Sequence, residues 1–257
     1  MVRERRSHRK ERHDAPPGFF EAEAVGLRWL AEAEARGGTR IVRVLDVGED
    51  FIDLEQVPVA GPSQAAADDF GRSLAAMHAA GAPAFGSPPQ GWEGASWIGR
   101  QRQTNDPEPT WGRFYAEQRV RPFVHAAERV GHLDARAVHE LDELCDRISA
   151  GEFDDDRPAA RIHGDLWSGN VLWTVKGVCL IDPAAHGGHG LTDLAMLALF
   201  GAPGLDRVLG SYAEAASLPA TWPDLIGLHQ LHPLAVHAVS HGPSYGDELV
   251  AVARRYR

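Results

Sequence analysis

Residues 163–182, HGDLWSGNVLWTVKGVCLID, decide how the rest of the chain reads. Val171 to Trp173 and Val178 to Ile181 are short apolar runs, and Thr174 to Gly177 between them has turn composition. The stretch therefore reads as a loop followed by a tight hairpin. In an antiparallel pair the residue before the first strand lies beside the residue after the second. Asn170 and Asp182 hold those two positions, so an amide oxygen and a carboxylate should converge. Such a pair suits Mg²⁺, which takes hard oxygen ligands and completes its shell with phosphate and water. Asp165, five residues before Asn170, sits on the same loop, where it could accept a proton from an attacking hydroxyl. One base and two metal ligands are the minimum that phosphoryl transfer needs. Asp and Asn are also frequent in turns for purely local reasons. A lone HGD would mean no more than that; the joint spacing carries the reading.

The 257 residues suffice for one large domain or two lobes. A net charge of −10 argues against a general nucleic-acid or anionic-membrane binder. One local exception is residues 3–12, where Arg3, Arg5, Arg6, Arg9, Lys10 and Arg12 crowd together and read as a solvated or disordered basic end. Two cysteines make no disulfide framework, and no apolar run is long enough for a signal peptide or a membrane span. A reducing cytoplasm is the expected compartment.

Pro16-Pro17-Gly18 ends the basic segment, and Phe19 to Ala35 has helical composition. Glu23 falls among Phe19, Phe20, Gly26, Leu27 and Leu30 on the apolar face, where a carboxylate needs a cationic partner. Ile41 to Val47 and Phe51 to Val57 read as strands joined at Gly48-Glu49-Asp50. Pro58 to Pro62 is linker-like, and Ser63 can cap a helix running through Ala80. Gly81 to Pro109 reads as an ordered surface loop. Trp111 to Arg129, Asp134 to Ala150 and Thr192 to Phe200 read as helices, with more helix to the end. A small β-containing start before a mostly helical remainder fits a two-lobed α+β architecture.

The segments HGDLWSGNVLW, IDPAAHGGHG and DLAMLALFG resemble the fructosamine kinase (ketosamine-3-kinase) family, within the aminoglycoside-phosphotransferase-like kinases. The resemblance extends, less tightly, from FFEAEAVGL at residue 19 to LHQLHPL at 228–234. It implies a protein-kinase-like fold, with residues 1–57 as the nucleotide lobe and 58–257 as the catalytic and substrate lobe. It also implies phosphorylation of a sugar hydroxyl on a small-molecule ketosamine by ATP with Mg²⁺. Carried over by position, Asp165 is the base and Asn170 and Asp182 are the metal ligands. Glu23 matches the helix glutamate that orients the ATP-binding lysine. Leu54-Glu55-Gln56-Val57 matches the hinge, whose backbone at Glu55 and Val57 would hold adenine. WGRFYAEQR, from Trp111, resembles the substrate-side helix. Asp193 matches the family aspartate that braces the catalytic loop. Two departures stand out: Leu191 occupies a position usually acidic, and no glycine precedes Gly18 to form a phosphate loop.

Lys10 and Lys176 are the two lysines, and Lys176 lies in the hairpin turn, far from Asn170 and Asp182. Lys10 is therefore the candidate to pair with Glu23, yet its flank RSHRKER lacks the apolar alternation of a strand. The expectation is a truncated nucleotide lobe that binds ATP weakly. The amine carrier, the sugar and the oligomeric state stay open.

Three rival readings share these residues. His186 and His189 near Asp182 could belong to a metallohydrolase, but no HExxH helix is present, and His229, His232, His237 and His241 read as core or capping residues. Gly242 to Gly246 matches G-x-S-x-G, but no histidine follows Ser244 to complete a triad. Within kinase chemistry the alternatives are an aminoglycoside or other small-molecule phosphotransferase, and a degenerate fold that binds without transfer.

Overall fold

The fold is described from a computed structural model, which covers residues 7–256. It begins with β1 (Ser7–Glu11), followed by α1 (Phe19–Ala31) and a 3₁₀ turn at Glu32–Arg36. Next come β2 (Arg40–Ile41), β3 (Val44–Val47) and β4 (Phe51–Glu55). β1, β4 and β3 form an antiparallel sheet in that order, with β1 at the edge. The expected β3–β4 hairpin is present.

The Lys10 flank, which lacks the apolar alternation expected of a strand, forms one nonetheless. Lys10 pairs with Ile52 and His8 with Leu54 on the inward face, where both strand-β4 partners are buried. The inward face of β1 lines a cleft, so its side chains are polar and apolar alternation is missing. On the outward face Arg9 grips Asp53 (Nε–Oδ1 2.8 Å) and stacks over Phe51. Cross-strand charge pairing thus takes the place of hydrophobic pairing on this edge. The basic segment is an ordered strand over residues 7–11; its residues 1–6 lie outside the described residues.

The run Ile41 to Val47 also differs from the single strand expected. Ile41 leaves the first sheet and pairs in parallel with Leu180, and the Val42 amide donates to the Leu180 carbonyl (3.0 Å). Its partner strand belongs to the second sheet, described below. Both faces of Ile41 and Val42 are buried, so pattern alone could not separate them from β3.

α2 (Gln64–Ala79) starts at Ser63, whose hydroxyl accepts from the Ala66 amide, as its sequence signals. The stretch 81–109, expected as loop, contains a hairpin of β5 (Ser96–Ile98) and β6 (Gln101–Gln103). α3 (Trp111–Phe114) and α4 (Arg121–Arg129) are separated by a π-helical turn at Tyr115–Val120, so the helix expected there is continuous but irregular. α5 (Ala135–Ser149) is capped by Asp134. β7 (Ala160–Ile162) leads into the loop that ends in a 3₁₀ turn at Ser168–Asn170.

The hairpin of β8 (Val171–Thr174) and β9 (Gly177–Leu180) then follows, in the register its sequence dictates. β2, β9 and β8 make the second sheet. β10 (His186–Gly188) returns beside β7. The chain closes with α6 (Gly190–Phe200), α7 (Leu205–Ala215), α8 (Ile226–His241) and α9 (Pro243–Ala253). Ser244 sits in the first turn of α9 and not on a strand-to-helix elbow.

Two apolar clusters hold this together. One packs α1, the small sheets and α2 against α6 and α7; the other packs α3 to α5 against α8 and α9. No helix among the described residues is long and apolar enough to cross a membrane.

Helices α2 and α7 touch through Gly71, where an added Cβ would run into the Ser211 hydroxyl and the Val208 carbonyl. Gly210, on the exposed side of α7, has no neighbour near such an atom. Gly71→Val should therefore destabilise by roughly 1–3 kcal/mol or more through overpacking. Gly210→Ala should stabilise by up to about 1 kcal/mol through helix propensity. Urea unfolding of the two variants checks the contrast.

Candidate active site

β1, α1 and the end of β9 meet at Lys10. Its ammonium contacts Glu23 at 2.9 Å (Oε1) and 2.8 Å (Oε2) and Asp182 Oδ1 at 3.0 Å. Glu23 is the apolar-face carboxylate of α1, with a side chain only 10% exposed, and Lys10 is the cation it needs. Burial alone would lower the Lys10 ammonium, but attraction from Glu23 and Asp182 outweighs it and holds Lys10 above its usual range. Burial raises the Glu23 carboxyl against the pull of Lys10.

The loop before β8 converges on the same place. Asn170 donates through Nδ2 to the Asp165 carbonyl (2.7 Å), to Asp165 Oδ2 (3.3 Å) and to the Asp182 carbonyl (3.3 Å). The Ile181 amide donates to the Asn170 carbonyl, which closes the mouth of the hairpin. With its nitrogen committed, Asn170 leaves Oδ1 with no hydrogen bond among the described residues. Asp182 adopts φ 55°, a left-handed conformation that costs energy in a non-glycine residue. From this backbone its Oδ1 lies 3.0 Å from the Lys10 ammonium. Asn170 Oδ1 and the Asp182 carboxylate are the hard oxygen donors a divalent cation prefers.

The loop is held from behind by a buried carboxylate. Asp193 accepts from the amides of His163 (2.8 Å) and Gly164 (2.9 Å) and bonds His78 Nε2 (3.0 Å). Burial would raise it, but the His78 bond and the surrounding donors hold it below the carboxylate norm. Burial lowers His163, whose Nε2 lies 2.8 Å from the Ile181 carbonyl. Gly164 has φ 80°, and an added Cβ would strike the Ala184 carbonyl. The turn of HGD therefore needs glycine. His78, whose Nδ1 reaches the Tyr212 hydroxyl at 2.8 Å, was not singled out by the sequence. A histidine one turn after Leu74 on the apolar stripe of α2 was the available signal.

Asp165 is half-buried, and burial raises its carboxyl to about 7, with the Asn170 bond pulling down and the Asp182 and Asp193 charges pushing up. It faces two cavities. The first, about 290 Å³, is lined by Lys10, Glu23, Asp165, Asn170 and Asp182, with Trp92 and Trp97 also in its wall. The second, about 640 Å³, runs from Asp165 and Trp167 to α8 and α9. Behind Lys10 a third space of about 310 Å³ is bounded by Val42, Leu54, Glu55, Val57, Leu172 and Ile181. The Glu55 carboxylate is turned into the scaffold, accepting from Arg40 Nη2 (2.8 Å) and the Arg43 amide (3.1 Å).

The histidines of the metallohydrolase reading are structural here. His189 caps α6 through the Leu191 amide, His186 Nδ1 lies 2.8 Å from the Ala184 carbonyl, and buried His229 meets Thr192 Oγ1.

Comparison with known proteins identifies the company this geometry keeps. A family model described as fructosamine kinase matches residues 4–256. A probable ketoamine kinase of Thermus thermophilus is 31% identical over 238 residues, 92% of this chain and 82% of that protein. One from Enterococcus faecium is 28% identical over 233 residues, 90% of this chain and 80% of that protein. The crystal structure of a candidate fructosamine-3-kinase from Thermobifida fusca superposes with a TM-score of 0.88 at 43% identity, covering 97% of this chain and 84% of the other. An aminoglycoside phosphotransferase crystallised with AMP-PNP and hygromycin B shares the fold at a TM-score of 0.60 and 14% identity, over 93% of this chain and 84% of that one.

The raised carboxyl of Asp165 has a thermodynamic signature. Burial in the folded protein pushes the carboxyl up to about 7, well above the ordinary range of an aspartate in the unfolded chain. The native state therefore binds the proton more tightly, and ionising Asp165 costs stability as pH rises through that window. Asp165→Asn should raise the unfolding temperature of the nucleotide-free protein by a few degrees, about the effect of 1 kcal/mol, at pH 8. The gain should vanish toward pH 4, and thermal melts across that range test it.

Proposed function

The chain belongs to the fructosamine kinase family, and we propose that it transfers the γ-phosphoryl group of ATP to a sugar hydroxyl of ketosamines, with Mg²⁺ as the bound cation. The observation that carries this reading is the meeting of Lys10, Asp165, Asn170 and Asp182 at one cleft, with Asp165 also opening onto a second cavity. A donor side and an acceptor side thus share one base.

In this reading residues 1–57 form the nucleotide lobe and 58–257 the catalytic and substrate lobe. Adenine lies in the space behind Lys10, against Val42, Leu54, Leu172 and Ile181, with the main chain of Glu55 and Val57 along its edge. Lys10, oriented by Glu23, meets the phosphates. Asn170 Oδ1 and Asp182 would hold Mg²⁺, which supplies charge neutralisation on the phosphate oxygens. Asp165 accepts the proton of the sugar hydroxyl while its oxygen bonds to the γ-phosphorus and the bond to ADP breaks. Trp92 and Trp97 help exclude water from the cleft. That two related phosphotransferase folds were crystallised with AMP-PNP or AMP supports placing a nucleotide here.

An aminoglycoside phosphotransferase is the alternative within the same fold, and the family match over residues 4–256 favours ketosamines. A non-catalytic binder is disfavoured by the complete base and ligand set. The compartment proposed is the cytoplasm.

Asp165→Asn should lower turnover about 10²–10⁴-fold, the usual contribution of a positioned base, with Mg·ATP affinity nearly unchanged. Asp182→Ala should instead weaken Mg·ATP binding itself. Coupled ADP release with a ketosamine acceptor, alongside calorimetric titration of Mg·ATP, separates the two. Wild-type turnover in Asp165→Asn would remove the base from the account. The activity of the wild type should rise with pH along a limb with an apparent pKa of about 7 or below, because bound cations would pull the Asp165 carboxyl down from the value to which burial raises it.

A further inference from the structure

The 640 Å³ cavity on the acceptor side of Asp165 is more than a sugar site. It extends from Asp165 and Trp167 to an aromatic wall of Phe200, His237, His241 and Tyr245. His237 and His241 stack at 4.8 Å, and His237 lies 4.8 Å from Phe200. Volumes of this order accommodate ligands of drug-like size, so the amine carrier of a ketosamine enters the cavity together with its sugar.

The charge of the lining is uneven. Asp165 stands at one end, the histidine wall is largely apolar, and the permanent cation is Arg100. Arg100 occupies the turn between β5 and β6 and is exposed. It makes no hydrogen bond or ion pair among the described residues, although the exposed Asp14, itself bonded to Arg12, lies within its electrostatic reach. An uncommitted guanidinium at the mouth of an apolar groove, in a chain of net charge −10, is a local exception to the field around it.

The turn that carries Arg100 is also braced. Asn105 Nδ2 donates to Ser96 Oγ (3.0 Å) and closes the base of the hairpin. Gln101 reaches Ser240 on α8 (3.4 Å), and the Trp97 ring meets Phe19 at 5.4 Å. Arg119, almost wholly buried, donates to the Thr104 carbonyl (2.6 Å) and to Asn105 Oδ1 (2.5 Å) and has no carboxylate partner among the described residues. Gln118 secures Asp106 through both its amide oxygen and nitrogen. The π-helical turn directs these two side chains at the segment just after β6. Burying an arginine without a carboxylate partner is costly; here the guanidinium, bonded to the Thr104 carbonyl and Asn105 Oδ1, fixes the segment that follows β6. The bracing fixes the backbone that carries Arg100, so less main-chain entropy is lost when its side chain binds.

We propose that Arg100 recognises a carboxylate on the amine carrier, so that the preferred acceptors are ketosamines of free α-amino acids. The inference rests on the ketosamine kinase reading above. The sugar hydroxyl lies at Asp165, the amino acid's side chain packs on the aromatic wall, and its carboxylate pairs with Arg100 in the fork geometry guanidinium favours.

The test compares N-(1-deoxyfructosyl)phenylalanine with its carboxamide, which differ at the carboxyl group. The wild type should show a KM about tenfold or more lower for the acid, as a charge-assisted hydrogen bond would give. Arg100→Gln should bring that ratio close to one, and Arg100→Lys should restore part of it. Because the readout is the acid-to-amide ratio within each variant, a general loss of stability does not imitate it. Turnover of both acceptors without a preference, or a preference that survives Arg100→Gln, overturns the inference and leaves the kinase reading standing. Absence of phosphoryl transfer to either ketosamine by the wild type overturns both.

Discussion

The Lys10 ammonium, held between Glu23 and Asp182, is the interaction on which the rest of this structure depends. It joins an edge strand, a helix and the end of the catalytic hairpin, three pieces far apart in sequence. Without the ammonium, two carboxylates would face each other across a partly buried cleft, and like charges that close repel strongly. The site is assembled by charge balance and not by apolar packing. In the proposed reading, nucleotide phosphates and a divalent cation would enter an arrangement whose positive and negative groups are already fixed, and such preorganisation is where phosphoryl transfer gets its rate.

Behind that centre a second carboxylate supplies rigidity. Asp193 collects two backbone amides and His78, so the turn carrying Asp165 has few ways to move. The buried Asp193 and the half-buried Asp165 therefore sit in contrasting surroundings. Asp193, surrounded by donors, is held ionised, while Asp165, with a single weak side-chain bond from Asn170, is pushed to about 7. Environment separates two identical side chains into a brace and, in the proposed reading, a base. On the acceptor side the hairpin of β5 and β6, tethered by Arg119 and Gln118, forms part of both cavities through Gly99.

The hairpin of β8 and β9, the convergence of Asn170 and Asp182, the Ser63 cap and the burial of Glu23 were all legible in sequence, because each rests on a local spacing. What was not legible depended on distant partners. Lys10 lies on a strand whose inward residues are polar because they line a cleft, and whose outward residues balance acids on β4; neither fact is visible in RSHRKER. Ile41 reads as part of the strand that follows, because only its pairing with Leu180 separates it. The hairpin around Arg100 is short and rich in polar residues, so periodicity gave no sign of it. Its order comes from a buried arginine on a π-helical turn.

The central claim is that Lys10, placed by β1 and oriented by Glu23, holds the nucleotide for catalysis. The most direct measurement is the kcat/KM for ATP of Lys10→Met at saturating ketosamine, in protein whose unfolding midpoint stays within a few degrees of wild type. The account predicts a fall of about 10²–10³-fold, the cost of removing one preorganised electrostatic donor. A Lys10→Met enzyme within a few-fold of wild type would contradict it.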